Sequence, residues 1–411
     1  MNRLSCDCRL ALVALVLLLA VTPALAQSES DAWSAYVYSQ AQQTLVRVTA
    51  DGDQTPYALN LGDSVALQGR HMAFWPDGDR VAFCAVHYGA TNSATLTVRD
   101  LPGGEDLISL PFDSASDCRV TQASLSDDQS RLAVALFNYF PGDTQADTSL
   151  PPWQYVVVDT ASGDVLHELN ANDARVAAAG IAPERATIAE AFAFSGDALT
   201  FYAIPYAVGG SSFYPTYRWD LSDGSLTLAD AQAAYNVARL PDLGERVYAT
   251  QDTALPFGIP NGPVPSNNVV LASRADEAPY PIYHTPDWII VDTDYIENGQ
   301  RLAVTLYPPA DQPQTSAFAV SLRAVVVDRE GGVEELLTTD GTMQIAGAPG
   351  GYVALLGSTD PTGPHRLLYA SAGQMKPLWS TSGESWELAW AAPTVTPDRL
   401  PPFAEIMASG E

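Results

Sequence analysis

An all-β chain closed into a β-propeller is the fold this sequence predicts, on three observations. A polar turn followed by an alternating apolar strand recurs along the chain. Each recurrence is followed by a further strand, a Gly-containing turn and another strand. Single strands that complete no unit of their own stand at the two ends of the array. Four short strands per copy, with copies about 50 residues apart, is the pattern of propeller blades.

The turn is clearest in FWPDGDRVAF, Phe74 to Phe83. Pro76 presets the first corner of a β-turn, Asp77 suits the second, and Gly78 takes a backbone setting that a Cβ would resist. Comparable stretches begin at Ser126 (SDDQSRLAV), Ser195 (SGDALTFYA), Leu243 (LGERVYAT), Glu297 (ENGQRLAV) and Ala348 (APGGYVALL), with Gly196, Gly244, Gly299 and Gly350 at similar places. The acid Asp77 is matched only loosely by Asp128, Asp197, Glu245 and Asn298, so the turn is read as a hairpin connection and not as a catalytic loop.

The second half of each copy reads TLTVRDLPGG, YVVVDTASGD, YRWDLSDGS, VVLASRADE, VVVDREGG or LLYASAGQ, with Asp100, Asp159, Asp220 and Asp328 ending the third strand. AYVYS, Ala35 to Ser39, and the segment after it supply outer strands of a copy that lacks its innermost strand, and SWELAWAAP, Ser385 to Pro393, looks like that missing strand. Lending it to the first copy would remove two unpaired strand edges that otherwise invite aggregation. The predicted count is seven blades; six would follow if the segment around Tyr248–Tyr283, broken by ALPFGIPNGPVP, were an insertion. Helical spacing is weak except in the Ala-rich links Ala171–Ala191 and Leu228–Ala238, where short helices would fit.

The combination of a polar turn, an apolar strand and a strand ending in Asp before a Gly turn, closest in PDGDRVAF with TLTVRDLPGG, resembles the TolB-like, WD-repeat-like propeller repeats of bacterial envelope proteins. The resemblance spans most of Ser34 to Ala392 and implies a blade, not an activity.

Domain organisation follows. Arg3 and Arg9 precede an apolar run that ends in Ala24-Leu25-Ala26, the pattern of a secretory signal peptide, so residues 1–26 are read as a leader, 27–393 as one propeller and 394–411 as an exposed C-terminal tail. The predicted location is extracytoplasmic, secreted or periplasmic, without stable membrane insertion. Without the leader the chain keeps 18 Lys and Arg against 47 Asp and Glu. Such a field repels phosphate backbones and anionic lipids, which excludes nucleic acid as the expected partner. Cys84 and Cys118 fall in neighbouring copies of an exported chain; they either form a disulfide between those copies or pack as two buried thiols.

If each copy is a blade, the connections from second to third strand share one face of the ring. Four of them are long and aromatic: 137–153, 204–217, 251–268 and 306–318. Tyr139, Phe140, Trp153, Tyr206, Phe213, Tyr214, Phe257 and Tyr307 are the predicted ligand-binding residues on that face, since aromatic rings give large contact area at low entropic cost. The alternative is that these rings pack on each other and seal the top of the ring.

GxSxG, GxxxxGK[ST], HExxH and the calcium loop DxDxDG are absent, and His71, His87, His167, His284 and His365 are scattered along the chain. No cofactor is expected. The pairs Asp51/Asp53, Asp77/Asp79 and Asp292/Asp294 offer oxygens for a calcium ion, against the commoner role of Asp in turns. The expected function is a secreted, non-enzymatic propeller binding a protein, peptide or cell-wall glycan through the aromatic loops. The alternative is an extracellular hydrolase or lyase acting on a glycan or peptide with converging carboxylates.

Overall fold

A computed structural model describes residues 33–138, 150–181, 192–202, 216–230, 235–240, 243–250, 268–308, 321–358, 363–393, 397 and 399–406, apart from 64, 70, 90, 91, 114, 275, 276 and 287, together with 360. The leader lies outside the described residues.

Strands follow the chain in antiparallel runs. Blade 1 holds β1 (Ser34–Ser39), β2 (Thr44–Thr49) and β3 (Gln54–Ala58). Blade 2 has an interrupted inner strand, β4 (Val65–Ala66) and β5 (Met72–Phe74), both paired with β6 (Arg80–His87), then β7 (Ser93–Asp100) and β8 (Glu105–Asp113). Blade 3 is β9 (Asp117–Arg119), β10 (Arg131–Phe137), β11 (Trp153–Asp159) and β12 (Val165–Asn170). Blade 4 is β13 (Phe192–Ser195), β14 (Ala198–Tyr202), β15 (Thr216–Asp220) and β16 (Leu226–Asp230). Blade 5 is β17 (Tyr235–Leu240), β18 (Glu245–Thr250), β19 (Val269–Arg274) and β20 (Tyr280–His284).

Blade 6 starts with β21 (Ile289–Ile296), β22 (Arg301–Tyr307) and β23 (Ser321–Asp328), and shares the long β24 (Val333–Ala348) with blade 7. Val333 to Asp340 pairs with β23, and Gly341 to Ala348 pairs with β25 (Gly351–Ser358), so one strand is the outer edge of blade 6 and the inner edge of blade 7. Blade 7 ends with β26 (Pro364–Ser371) and β27 (Gln374–Ser382). β28 (Glu387–Ala391) then pairs with β1, placing Trp390 opposite Tyr36 and Glu387 opposite Tyr38, as the terminal strands predicted. Among the described residues six hydrogen-bonded sheets result, and the seven-stranded one divides at β24 into two four-stranded units. The segment around Tyr248–Tyr283 is a blade, since Tyr248 pairs with Leu271 and Val270 with Tyr283.

The middle strands are buried on both faces, which is why they read as nearly continuous apolar runs. On β6, Val81, Phe83 and Ala85 join the cluster shared with blade 1, whereas Ala82, Cys84 and Val86 join the one shared with blade 3. On β10, Leu132, Val134 and Leu136 face blade 2, and Ala133, Ala135 and Phe137 face blade 4. A side-chain period of two thus feeds two seams at once. Cys84 on β6 and Cys118 on β9 are joined by a disulfide across the seam of blades 2 and 3, with Cα atoms 5.7 Å apart.

The opening turn is structural. Gly78 sits at φ 72°, and a Cβ there would stand 3.3 Å from the Trp390 ring, while the Tyr36 hydroxyl donates to the Gly78 carbonyl. The Asp77 carboxylate accepts from the Asp79 backbone N–H at 3.0 Å, and Asp79 pairs with Arg47 of blade 1 at 3.3 Å.

Of the two Ala-rich links, the first holds the short helix expected of it, Ala174–Ala178, capped by the Asp173 side chain; two other expectations are corrected. The described ends of the second belong to β16 and β17, because pairing with β15 and β18 outweighs the high helix propensity of alanine. The tail is not uniformly exposed: Leu400 and Phe403 are buried at the seam of blades 5 and 6, since both are apolar and a bed of Leu240, Tyr295 and Leu302 receives them.

Candidate functional site

Each inner strand is a sheet edge, so half of its backbone groups lack ladder partners. The structure meets some of these with polar side chains reaching between blades. Asp294 Oδ2 accepts from the Gly347 N–H of blade 7 at 3.3 Å, Gln344 Oε1 from the Leu388 N–H of blade 1 at 2.6 Å, and Glu387 Oε2 from the Gly69 N–H of blade 2 at 2.7 Å. From blade 3, the Gln122 amide accepts from the Phe74 N–H and donates to its carbonyl, both at 2.9 Å. Inner strands of successive blades touch, β17 with β21, β21 with β24, β24 with β28 and β28 with β5, so this polar belt follows the axis from blade 5 through blades 6, 7 and 1 to blade 2.

Within the belt, β21 carries an unusual pair. The strand reads IIVDTDYI, two acids at alternate positions in an apolar run. The register slips between Ile290 and Asp292, a bulge at Val291 of the kind that re-aims side chains. Beyond it, Asp292, Asp294 and Ile296 share one side of the strand, turned toward blade 7; Ile296 packs in the seam of blades 6 and 7, and Asp294 bonds to Gly347 there. Thr293 and Tyr295 take the other side, where Tyr295 joins the seam with blade 5.

Solvent reaches Asp292, and Asp294 is half-buried. Protein nonetheless surrounds both at the axis, and neither has an ion-pair partner among the described residues. Loss of bulk water around the charged form pushes the Asp292 carboxyl up to about 6, opposed only by a hydrogen bond from the Thr293 N–H. The same burial, together with repulsion from Asp292, pushes Asp294 up to about 7. Turn acids move the other way: hydrogen bonds from Ser126 and Ser130 hold Asp128 down at about 2, and backbone N–H groups of Ser162 and Ala161 lower Asp159. Position in the blade therefore sorts the acids into structural anchors and groups that titrate near neutrality.

Sequence reasoning named Asp292 and Asp294 only as oxygens for calcium; the signal for more was the acid-x-acid alternation inside an otherwise buried strand. Among the described residues no group of three or more His, Cys, Asp or Glu is placed so that it could hold a metal ion. Asp77 and Asp79 are occupied in the turn of blade 2, and Asp51 and Asp53 are exposed where β2 turns into β3.

The predicted aromatic face is largely out of view. Tyr139, Phe140, Tyr206, Phe213, Tyr214 and Phe257 lie outside the described residues. Trp153 is a correction: it begins β11 with 1% exposure and packs on Tyr155 and Phe201 in the seam of blades 3 and 4. The sequence places it at the end of a loop, but the strand starts there, and pairing with Phe137 draws it into the core. Tyr307, half-buried, ends β22 opposite Ile289 at the head of β21.

No family model and no curated protein matches this chain. Among solved structures it is similar to an acylaminoacyl peptidase in complex with Z-Gly-Gly-Phe-chloromethyl ketone (TM-score 0.50, 14% identity, 82% of this chain and 48% of that one). It is also similar to an oligogalacturonate lyase from Vibrio parahaemolyticus (TM-score 0.44, 12% identity, 84% of each chain) and to TolB from Acinetobacter baumannii (TM-score 0.42, 15% identity, 83% of this chain and 72% of that one). The chain spans about half the length of the peptidase. Likeness at such identity concerns the fold, which is a β-propeller.

The expectation of a non-enzymatic binder is corrected: the fold is shared with a peptidase, so neither the propeller nor a missing linear motif marks a non-enzyme. That expectation rests on the repeat, the leader, the aromatic loops and the absence of a linear catalytic motif. That absence carries little weight, because a catalytic constellation is defined by geometry and roles and need not match any of those motifs.

Proposed function

We propose that the chain is an extracytoplasmic propeller enzyme, a hydrolase or lyase cleaving a glycan by general acid–base chemistry, with Asp292 and Asp294 as the reacting carboxyls. The observation that carries this reading is the pair itself: two acids on one side of an inner strand, reached by solvent and held near neutrality. Residues i and i+2 of a strand stand roughly 6.6 Å apart at Cα, which brings carboxyl groups into the separation used in glycosidic cleavage.

Near pH 6.5 the pair holds about one proton. Asp294, the less exposed and more strongly shifted, keeps it and serves as general acid to the departing oxygen; Asp292, ionised, takes a proton from water or from a sugar carbon. The Gly347 N–H fixes one oxygen of Asp294 and the Thr293 N–H one oxygen of Asp292, which sets the plane of each carboxyl toward the axis. The leader-like N-terminus and the Cys84–Cys118 bond support export, and the repeat pattern supports kinship with TolB-like envelope propellers.

The test is incubation with a panel of neutral oligosaccharides, oligouronates and peptides, followed by mass spectrometry. The reading expects new glycan ends with the wild-type chain and none with Asp294→Asn. Cleavage of peptides alone, or equal cleavage by the variant, contradicts it.

A further inference from the structure

The second concentration of buried charge lies on the opposite end of the blades from the long loops, where β17 ends, β18 begins and β19 and β23 end. The Glu245 side chain is fully buried and Arg329 nearly so, at 0% and 4% exposure. Burial pushes the Glu245 carboxyl up, but hydrogen bonds from Arg329 and Arg274 outweigh it and hold the group below its usual range. Its two oxygens accept from Arg274 Nε at 2.7 Å, from Arg329 Nη1 and Nη2 at 3.1 and 2.8 Å, and from the Tyr295 hydroxyl at 3.1 Å.

One carboxylate cannot satisfy two guanidiniums, and a buried donor without an acceptor is costly. The Gly299 carbonyl takes two of the surplus donors of Arg329, at 2.9 and 2.7 Å. Others are met by the C-terminal segment: Arg274 Nη2 donates to the Leu400 and Pro401 carbonyls at 2.8 and 3.0 Å, and Arg329 Nη1 also donates to Pro401. The Phe403 ring lies 4.4 Å from the Arg329 guanidinium, and the Ala404 and Ile406 N–H groups bond to the Arg329 and Pro281 carbonyls at 2.9 Å.

We propose that the seam of blades 5 and 6 is a binding site for an extended apolar-Pro-Pro-aromatic segment, filled in this protein by its own Leu400-Pro401-Pro402-Phe403 and open to exchange with a second segment of the same chemistry. The match is chemical. A seam with excess cationic donors asks for consecutive carbonyls. A Pro-Pro step supplies them while bringing no N–H that burial would strand, and it is already extended, so little entropy is lost on docking. The aromatic residue then caps the exposed face of the guanidinium.

The probe is a fluorescent peptide of residues 399–406, titrated into the full chain by anisotropy. Phe403→Ala, which weakens the resident segment, is expected to bind it at least tenfold more tightly than the wild-type chain does, and a peptide with both prolines replaced by alanine to bind that variant at least tenfold more weakly. Should Phe403→Ala fail to fold, Ala404→Pro removes a backbone donor of the segment without touching the core and carries the same expectation. A folded variant that binds no better than wild type, or that binds the proline-free peptide equally well, overturns the proposal.

Discussion

Trp390, from the last strand, stands directly opposite Tyr36, from the first, and its indole stacks on Phe74 of the following blade with ring centroids 5.4 Å apart. Three residues distant in sequence thus close the ring and bind the closure to blade 2, where the Gly78 turn presses on the same indole. Trp390→Ala removes this ring from a site with 8% exposure and is expected to cost about 3–5 kcal/mol, read as a lowered urea midpoint. A midpoint unchanged from wild type would mean that β28 contributes nothing to closure.

The Cys84–Cys118 bond closes a loop with a sequence separation of 34. Chain-entropy arguments put its contribution at about 2–4 kcal/mol. The Cys84→Ala, Cys118→Ala double variant should therefore melt several degrees lower, with matched alanines on both sides so that no lone thiol remains.

Acid pairs at the axis give stability a particular pH dependence. The folded pKa of Asp294 lies above its unfolded value, so the folded chain binds the extra proton, and the associated stability is complete at acid pH and lost as pH rises toward and through about 7. Asp294→Asn removes that loss. At pH 8 the variant should be more stable than wild type by on the order of 2 kcal/mol, and the difference should shrink by pH 4, as denaturant melts at the two pH values would record.

Glu245 behaves oppositely, since its folded pKa is depressed. Its contribution is present above the unfolded pKa and lost as pH falls through the folded one. Glu245→Gln leaves Arg329 buried, and Arg274 half-buried, without a counter-charge and should destabilise by about 3–5 kcal/mol at pH 7, visible in thermal melts and in faster amide exchange at Ala404 and Ile406.

The architecture was legible because propeller blades advertise themselves locally: PDGD needs glycine at positive φ, and strands such as RVAFCAVH are apolar on both faces because two seams bury them. The closing strand was legible from its loneliness. Trp153 misled because a strand start and a loop end look alike in sequence, and the tail because Leu400 and Phe403 sit among prolines and charged residues while their bed is built by blades 5 and 6. Asp292 and Asp294 were visible only as an acid pair; their shared side, set by the bulge at Val291, and their place at the axis arise from packing between blades.

Direct titration of aspartate side-chain carboxyls by carbon-13 NMR, with Asp292→Asn and Asp294→Asn used to assign the two resonances, reads the poised pair itself. The account predicts that these carboxyls titrate at about 6 and about 7 and that Asp292→Asn lowers the midpoint of Asp294. Both midpoints falling in the ordinary range near 4 would contradict it.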